Sequence, residues 1–132
     1  MIFVDTSYWI AVTIEVDARH AEAAALVAAH GNSGFATSNH VRGETWTFIR
    51  RRFGHRRAVE VIERLDLTPR LRALWVDREL EHEAWAWLRR HDEREYSFVD
   101  ATSFALMRKL RIREAFAFDG DFAAAGFVEL RP

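Results

Sequence analysis

Four acidic residues, scattered along the chain, fall where carboxylates from different segments can meet. Asp5 directly follows the apolar run Ile2-Phe3-Val4, and Asp119 directly follows Ala115-Phe116-Ala117-Phe118. Glu44 lies in an early turn of a helix predicted to open at Ser38 or Asn39. Asp100 lies in the first turn of a helix predicted to open at Ser97. Asp121, close behind Asp119, is a fifth acid within reach. Two carboxylates about 4 Å apart repel by roughly 4 kcal/mol at an effective dielectric of about 20. A cluster of them must hold protons or a divalent cation. Oxygen ligands without Cys or His alongside favour Mg²⁺ or Mn²⁺, as one or two ions, over Zn²⁺. Such a cation lowers the pKa of a water and offsets charge on a leaving oxygen. The chemistry this implies is in-line hydrolysis of a phosphodiester. Asp5, Glu44, Asp100 and Asp119 are the expected catalytic and metal-binding residues, with Asp121 as a further ligand.

Each acid also has a structural use. Asp5 can cap a helix, Glu44 can be a solvated helix residue, and Asp119-Gly120-Asp121 reads as a turn. Ser97-Phe98-Val99-Asp100 fits a capping box, in which serine and acid satisfy each other's backbone amides. The box and a metal role are compatible, because the box places Asp100 at the helix start.

The elements that must position these acids are short apolar runs alternating with helices. Strands are expected at Met1–Val4, Phe35–Thr37, Leu74–Val76, Ala115–Phe118 and Phe127–Leu130. Helices are expected over Ser7–Ile14, Asp17–Ala29, from Ser38 or Asn39 to about Arg52, and His55–Leu65. Others run from Asp77 to about Arg90, from Ser97 to about Leu110, and for one turn at Asp121–Ala125. The strand runs lack polar alternation, as strands covered on both faces do. The pattern predicts one α/β domain over residues 1–132 with a mainly parallel sheet of four to five strands. Ligands of such sheets bind outside the carboxyl ends of the strands, where Asp5 and Asp119 are expected.

Composition narrows the function classes. The chain has 132 residues, 49% of them hydrophobic, enough for one packed core. It has no cysteine, which excludes a thiolate metal site, a disulfide scaffold and a cysteine nucleophile. The opening MIFVDTSYWI carries an acid inside its apolar part and does not read as a signal peptide. No run approaches membrane-spanning length, and a cytoplasmic protein is expected. The net charge of −1 does not announce a nucleic-acid binder, but every basic residue except Lys109 is an arginine. Arginine forks onto phosphate oxygens, although a compositional bias of the genome explains the excess equally well. No G-x-S-x-G, P-loop or dinucleotide fingerprint occurs.

At the acidic positions the chain resembles PIN domains, and within them the VapC-type toxins of prokaryotic toxin–antitoxin pairs. The resemblance spans nearly the whole chain. It rests on Asp5-Thr6-Ser7 after the first strand and on Glu44 within Asn39-His40-Val41-Arg42-Gly43-Glu44. It continues with Ser97-Phe98-Val99-Asp100-Ala101 and with Phe118-Asp119-Gly120-Asp121-Phe122 after an apolar run. It implies a three-layer α/β/α sandwich and a Mg²⁺- or Mn²⁺-dependent endoribonuclease. It implies a homodimer, and a small antitoxin that inserts into the site. Carried over by motif, Asp5, Glu44, Asp100 and Asp119 match the four acidic positions, Asp121 a fifth that varies, and Ser7 a hydroxyl beside the first acid. Ser97 supports Asp100. Ala117 departs from the pattern, standing where relatives often carry Thr or Ser. The alternative is a PIN-like binding module that has lost its chemistry and acts through a protein partner. A weaker one is a phosphatase or DNA nuclease using the same metal site.

Two further features bear on partners. Arg50, Arg51, Arg52, Arg56 and Arg57 surround Gly54. They could contact RNA phosphates, or could form solvated helix ends. Trp9 and Trp46, each near an acid, could line a groove for an antitoxin helix, or could belong to the core.

Overall fold

The computed structural model describes residues 1–132. Its elements run β1 (Ile2–Val4), α1 (Thr6–Thr13), α2 (His20–His30), β2 (Phe35–Ser38), α3 (Asn39–Phe53) and α4 (His55–Asp66). They continue with β3 (Leu71–Leu74), α5 (Arg78–Arg90), α6 (Phe98–Leu110), β4 (Glu114–Phe116), α7 (Asp121–Ala124) and β5 (Val128–Glu129). All strand pairs are parallel, in the order β3-β2-β1-β4-β5. The expected α/β/α sandwich with a parallel sheet is therefore the observed fold.

The strand order explains where the site sits. From β1 the chain moves outward through β2 to β3. It then crosses back to β4 on the other side of β1 and ends at β5. The direction of winding reverses between β1 and β4, and there the following connections diverge and leave a crevice at the strands' carboxyl ends. Asp5 leaves β1 at that point, its N–H still held by the Phe116 carbonyl at 3.0 Å. Asp119 leaves β4 on the opposite bank.

Packing fixes the central strands. β1 and β2 are buried at every residue, and Phe3, Phe104, Phe116 and Phe122 are among the largest fully buried side chains. Phe3 and Phe122 pack with ring centroids 6.1 Å apart, and Phe104 meets Phe122 edge-on at 4.9 Å. This aromatic core joins α6 and α7 to the sheet beside the residues that carry the acids.

Several predicted boundaries are corrected. The third strand is Leu71–Leu74, not Leu74–Val76. It is an edge strand paired with Phe35–Ser38, with Arg72 and Ala73 exposed, so its backbone ladder has no matching apolar run. The apolar residues beyond it do other work: Val76 donates its N–H to Asn39 Oδ1 at 2.7 Å, while Trp75 is exposed. The fourth strand ends at Phe116 rather than Phe118, because its partner β1 ends at Val4. The second helix begins at His20 rather than Asp17, because Asp17 turns the chain by accepting the Arg19 N–H at 2.8 Å. Trp9 is core: it is buried against Tyr8 and lies outside the acidic crevice.

Candidate active site

The crevice between β1 and β4 opens into a cleft of about 550 Å³ that receives Asp5, Glu44, Asp100, Asp119 and Asp121 together. Ser7 and Ser97 line it as well. Each acid arrives there through a local device legible in its own segment.

Asp5 ends β1 and caps α1. Its Oδ2 accepts the Ser7 N–H at 3.2 Å and the Ser7 hydroxyl at 2.7 Å. The same Ser7 oxygen accepts the Phe118 N–H at 3.1 Å, so one hydroxyl joins the exits of β1 and β4. This bond lies beside Ala117, whose own side chain brings no hydroxyl. Asp100 is the third helical residue of α6, within a complete capping box. Its N–H donates to Ser97 Oγ at 2.9 Å, and its Oδ2 accepts the Ser97 N–H at 3.1 Å. Glu44 projects from α3, held by the Thr6 hydroxyl, which donates to its Oε1 at 2.7 Å. Asp119 stands at the exposed rim, its Oδ1 accepting the Asp121 N–H at 3.3 Å. Asp121 opens α7 and is already paired, accepting from Arg94 Nε at 2.8 Å.

The electrostatics follow from burial and mutual repulsion. Burial pushes Asp5 up to about 8, and the charge of Asp119 adds to this against the Ser7 hydrogen bonds. Burial likewise raises Asp100 to about 7, with the Ser97 amide working against it and Asp119, Asp121 and Glu44 adding to it. Burial also raises Glu44, opposed by the Thr6 hydroxyl, and raises Asp119, assisted by Asp121. Several carboxylates raised together in one cleft are the pattern that makes it the candidate functional site. The donor set is entirely oxygen, which suits a hard divalent cation. The acids stand apart, however: no group of three closes into a ready-made cage for an ion. An ion that keeps several of its waters, as Mg²⁺ does, does not need one.

The arginines divide. Arg51 and Arg52 line a second groove, of about 730 Å³, that shares Glu44 and Phe48 with the acidic cleft. Arg52 rests over the Phe48 ring at 4.4 Å. These positions follow from helical spacing, since residues 44, 48, 51 and 52 fall on one face of α3. Arg50 and Arg56 are exposed and line neither groove. Arg57 is a tether: it reaches the Thr13 carbonyl at 2.9 Å, Glu15 at 2.6 Å and Glu60 at 2.8 Å.

Sequence reasoning missed Thr6, Asp17, Arg19 and Glu95, all of which line the acidic cleft. Arg94, which neutralises Asp121, was missed as well. Thr6 carries a signal in retrospect, since the residue after Asp5 opens the helix facing α3. Arg19 and Glu95 lie in connections and have no periodicity to read.

A five-stranded parallel sheet with acids gathered at its switch point is the architecture of a nuclease of the PIN type, and the chain belongs to that family: the PIN domain pattern matches residues 2–128. Among individual proteins, it is similar to the 23S rRNA-specific endonuclease VapC20 from two strains of Mycobacterium tuberculosis. The identity is 58% over 132 residues, covering 100% of this chain and 99% of the relative. The crystal structure of Mycobacterium tuberculosis VapC20, a sarcin–ricin loop cleaving toxin, matches with a TM-score of 0.91 and 56% identity over 100% of both chains. The class expected from the motifs, a toxin-type endoribonuclease, stands.

Proposed function

We propose that this chain is a divalent-cation-dependent endoribonuclease toxin whose substrate is a structured loop of 23S ribosomal RNA. The observation that carries the reading is the gathering of Asp5, Glu44, Asp100 and Asp119 in one cleft, with Asp5 and Asp100 held far above the ordinary carboxylate range. Such a cluster is stable in its ionised form only with a cation beside it. Asp5, Glu44, Asp100 and Asp119, with Asp121, would hold the ion in this reading. Mg²⁺ or Mn²⁺ bound there would supply an activated water and offset charge on the leaving oxygen. The chain's own part is to hold the carboxylates still: Ser7 orients Asp5, Ser97 orients Asp100, and Thr6 orients Glu44. The substrate class rests on the full-length similarity to VapC20.

The same reading includes a homodimer and a small antitoxin whose arginine enters the acidic cleft. The half-buried Trp46 supports a place for the antitoxin's apolar helix. With Ile62, Leu74 and the exposed Trp75 it lines a groove of about 830 Å³ on the other flank of α3. The chain has no helix long and apolar enough to cross a membrane, and the cytoplasm, where ribosomes are, is the proposed location.

The test is cleavage of purified ribosomes and of single-stranded DNA with Mg²⁺, Mn²⁺ or EDTA, followed by mapping of new 5′ ends. A single cut in a 23S loop that EDTA abolishes is expected. Undiminished cutting in EDTA, or a preference for DNA, refutes the reading. Light scattering on the chain, alone and co-expressed with the small protein encoded beside it, tests the partners.

A further inference from the structure

The acidic cleft contains one cationic side chain, Arg19, which lies in the connection between α1 and α2. The side chain is exposed, and three contacts set its position. Asp17 accepts its backbone N–H at 2.8 Å and fixes the turn. Its guanidinium lies over the ring of Phe118, 5.6 Å from the centroid, and Phe118 is the residue before Asp119. Nη1 donates to Glu22 Oε1 at 2.7 Å. Nε and Nη2 make no hydrogen bond within the chain. Arg131 also packs on Phe118, at 5.4 Å, but donates to the carbonyls of Ala117 and Leu130 and to Glu129, and lies outside the cleft.

We infer that Arg19 is a catalytic residue of this site, donating through Nε and Nη2 to the non-bridging oxygens of the scissile phosphodiester. The inference rests on the nuclease reading above. A phosphodiester entering a cleft lined by seven carboxylates meets repulsion on nearly every side. Charge on its non-bridging oxygens must be met by donors already in place. Arginine suits this because its fork matches two phosphate oxygens at once and it stays charged at any working pH. Its partner Glu22 does not line the cleft, and none of the cleft acids accepts a hydrogen bond from Nε or Nη2. Stacking on Phe118 ties its position to that of Asp119, on the strand exit that also holds Ser7.

The experiment compares wild type with Arg19→Ala, Arg19→Lys and Arg113→Ala under single-turnover conditions. The substrate is a 23S rRNA hairpin carrying the sarcin–ricin loop, with saturating Mn²⁺. Arg113 is exposed at the opposite, amino-terminal end of β4 and serves as the equal-charge control. Loss of one pre-placed donor to a developing oxyanion lowers a rate by about 100-fold or more. Arg19→Ala is expected to show that fall at saturating RNA, with Arg19→Lys in between and Arg113→Ala unchanged. A Mn²⁺ titration of thermal stability provides a readout independent of turnover. Removing a cation from the cleft should leave the Mn²⁺ midpoint unchanged or lower it, whereas a higher midpoint would mean disturbed carboxylates and would overturn the inference. A raised KM with an unchanged rate at saturation would overturn it too, leaving only attraction of RNA. An inactive wild type would refute the nuclease reading itself. An active wild type matched by Arg19→Ala would refute this inference alone.

Discussion

The Thr6 hydroxyl donates a 2.7 Å hydrogen bond to Glu44 Oε1, joining the first turn of α1 to α3 across the floor of the acidic cleft. Thr6 thereby couples two acids: it follows Asp5 in the chain and holds Glu44 in space. A hydrogen bond to a charged group contributes about 1.5–3 kcal/mol, enough to fix one rotamer of a half-buried glutamate. Thr6→Val keeps the shape and removes the donor. Its cleavage rate is expected to fall at least tenfold while the circular dichroism spectrum stays native. Thr6→Ser should recover most of the rate. Full activity in Thr6→Val would mean that Glu44 needs no orientation.

Asp5→Asn and Asp100→Asn should keep the fold and abolish cleavage. Asparagine retains the capping oxygen in each case, so α1 and α6 keep their first turns. What is lost is the charge that a cation requires. Native melting with undetectable cleavage is the expected pair of results. Normal activity in Asp100→Asn at saturating Mn²⁺ would reduce Asp100 to the helix cap it also is.

Stability without metal should fall as pH rises. Asp5 and Asp100 take up protons near pH 8 and 7 when folded, against an ordinary value of 3.8. Between those limits the folded chain binds more protons than the unfolded chain, so unfolding becomes easier with increasing pH. The melting temperature in EDTA should therefore decline from about pH 5 to pH 8 and level off above, other groups being equal. A tenfold change in proton affinity is worth about 1.4 kcal/mol, so Asp5→Asn should melt several degrees above wild type at pH 8. A melting temperature that climbs over this range in EDTA would contradict the raised values.

Mn²⁺ should reverse that trend. A ligand bound only by the native state adds RT ln(1 + [L]/Kd), about 2.7 kcal/mol at one hundred times Kd. The gain should be larger at pH 8 than at pH 6, because more of the carboxylates are already ionised, and absent in Asp5→Asn. Differential scanning fluorimetry over a Mn²⁺ series at pH 6 and 8 measures both. A midpoint unmoved by tens of millimolar Mn²⁺ would argue against a cation in the cleft.

Arg57 and the Arg51–Arg52 pair should separate cleanly. Arg57→Ala breaks contacts to Thr13, Glu15 and Glu60, and is expected to cost about 1 kcal/mol of stability with cleavage retained. Arg51→Ala with Arg52→Ala should leave melting unchanged and weaken RNA binding, with a shallower dependence on salt. Identical salt slopes for the double variant and wild type would remove that groove from the RNA path.

The acids, their order and the family were legible in the sequence because each depends on a local pattern. Asp5 and Asp119 follow apolar runs, and Asp100 sits in a capping box whose spacing is visible in four consecutive letters. Alternation of short apolar runs with helices was enough to define a parallel α/β sheet. The edge strand Leu71–Leu74 escaped because it is held by backbone pairing to β2 and only its end residues, Leu71 and Leu74, are half-buried, with Arg72 and Ala73 exposed between them. Trp9, four residues after Asp5, could be read as groove or core; helical rotation sets it on the side opposite Ser7 and buries it, while Ser7 and Ile10 face the cleft. Only the tertiary structure decided which banks face each other. The crossover from β3 back to β4 sets Asp119 opposite Asp5, lays Arg19 over Phe118, and commits Asp121 to Arg94. Those meetings depend on strand order and on rigid-body packing of distant segments, quantities that no local window of sequence contains. Local chemistry therefore named the acids, and long-range topology determined their environment and their partners.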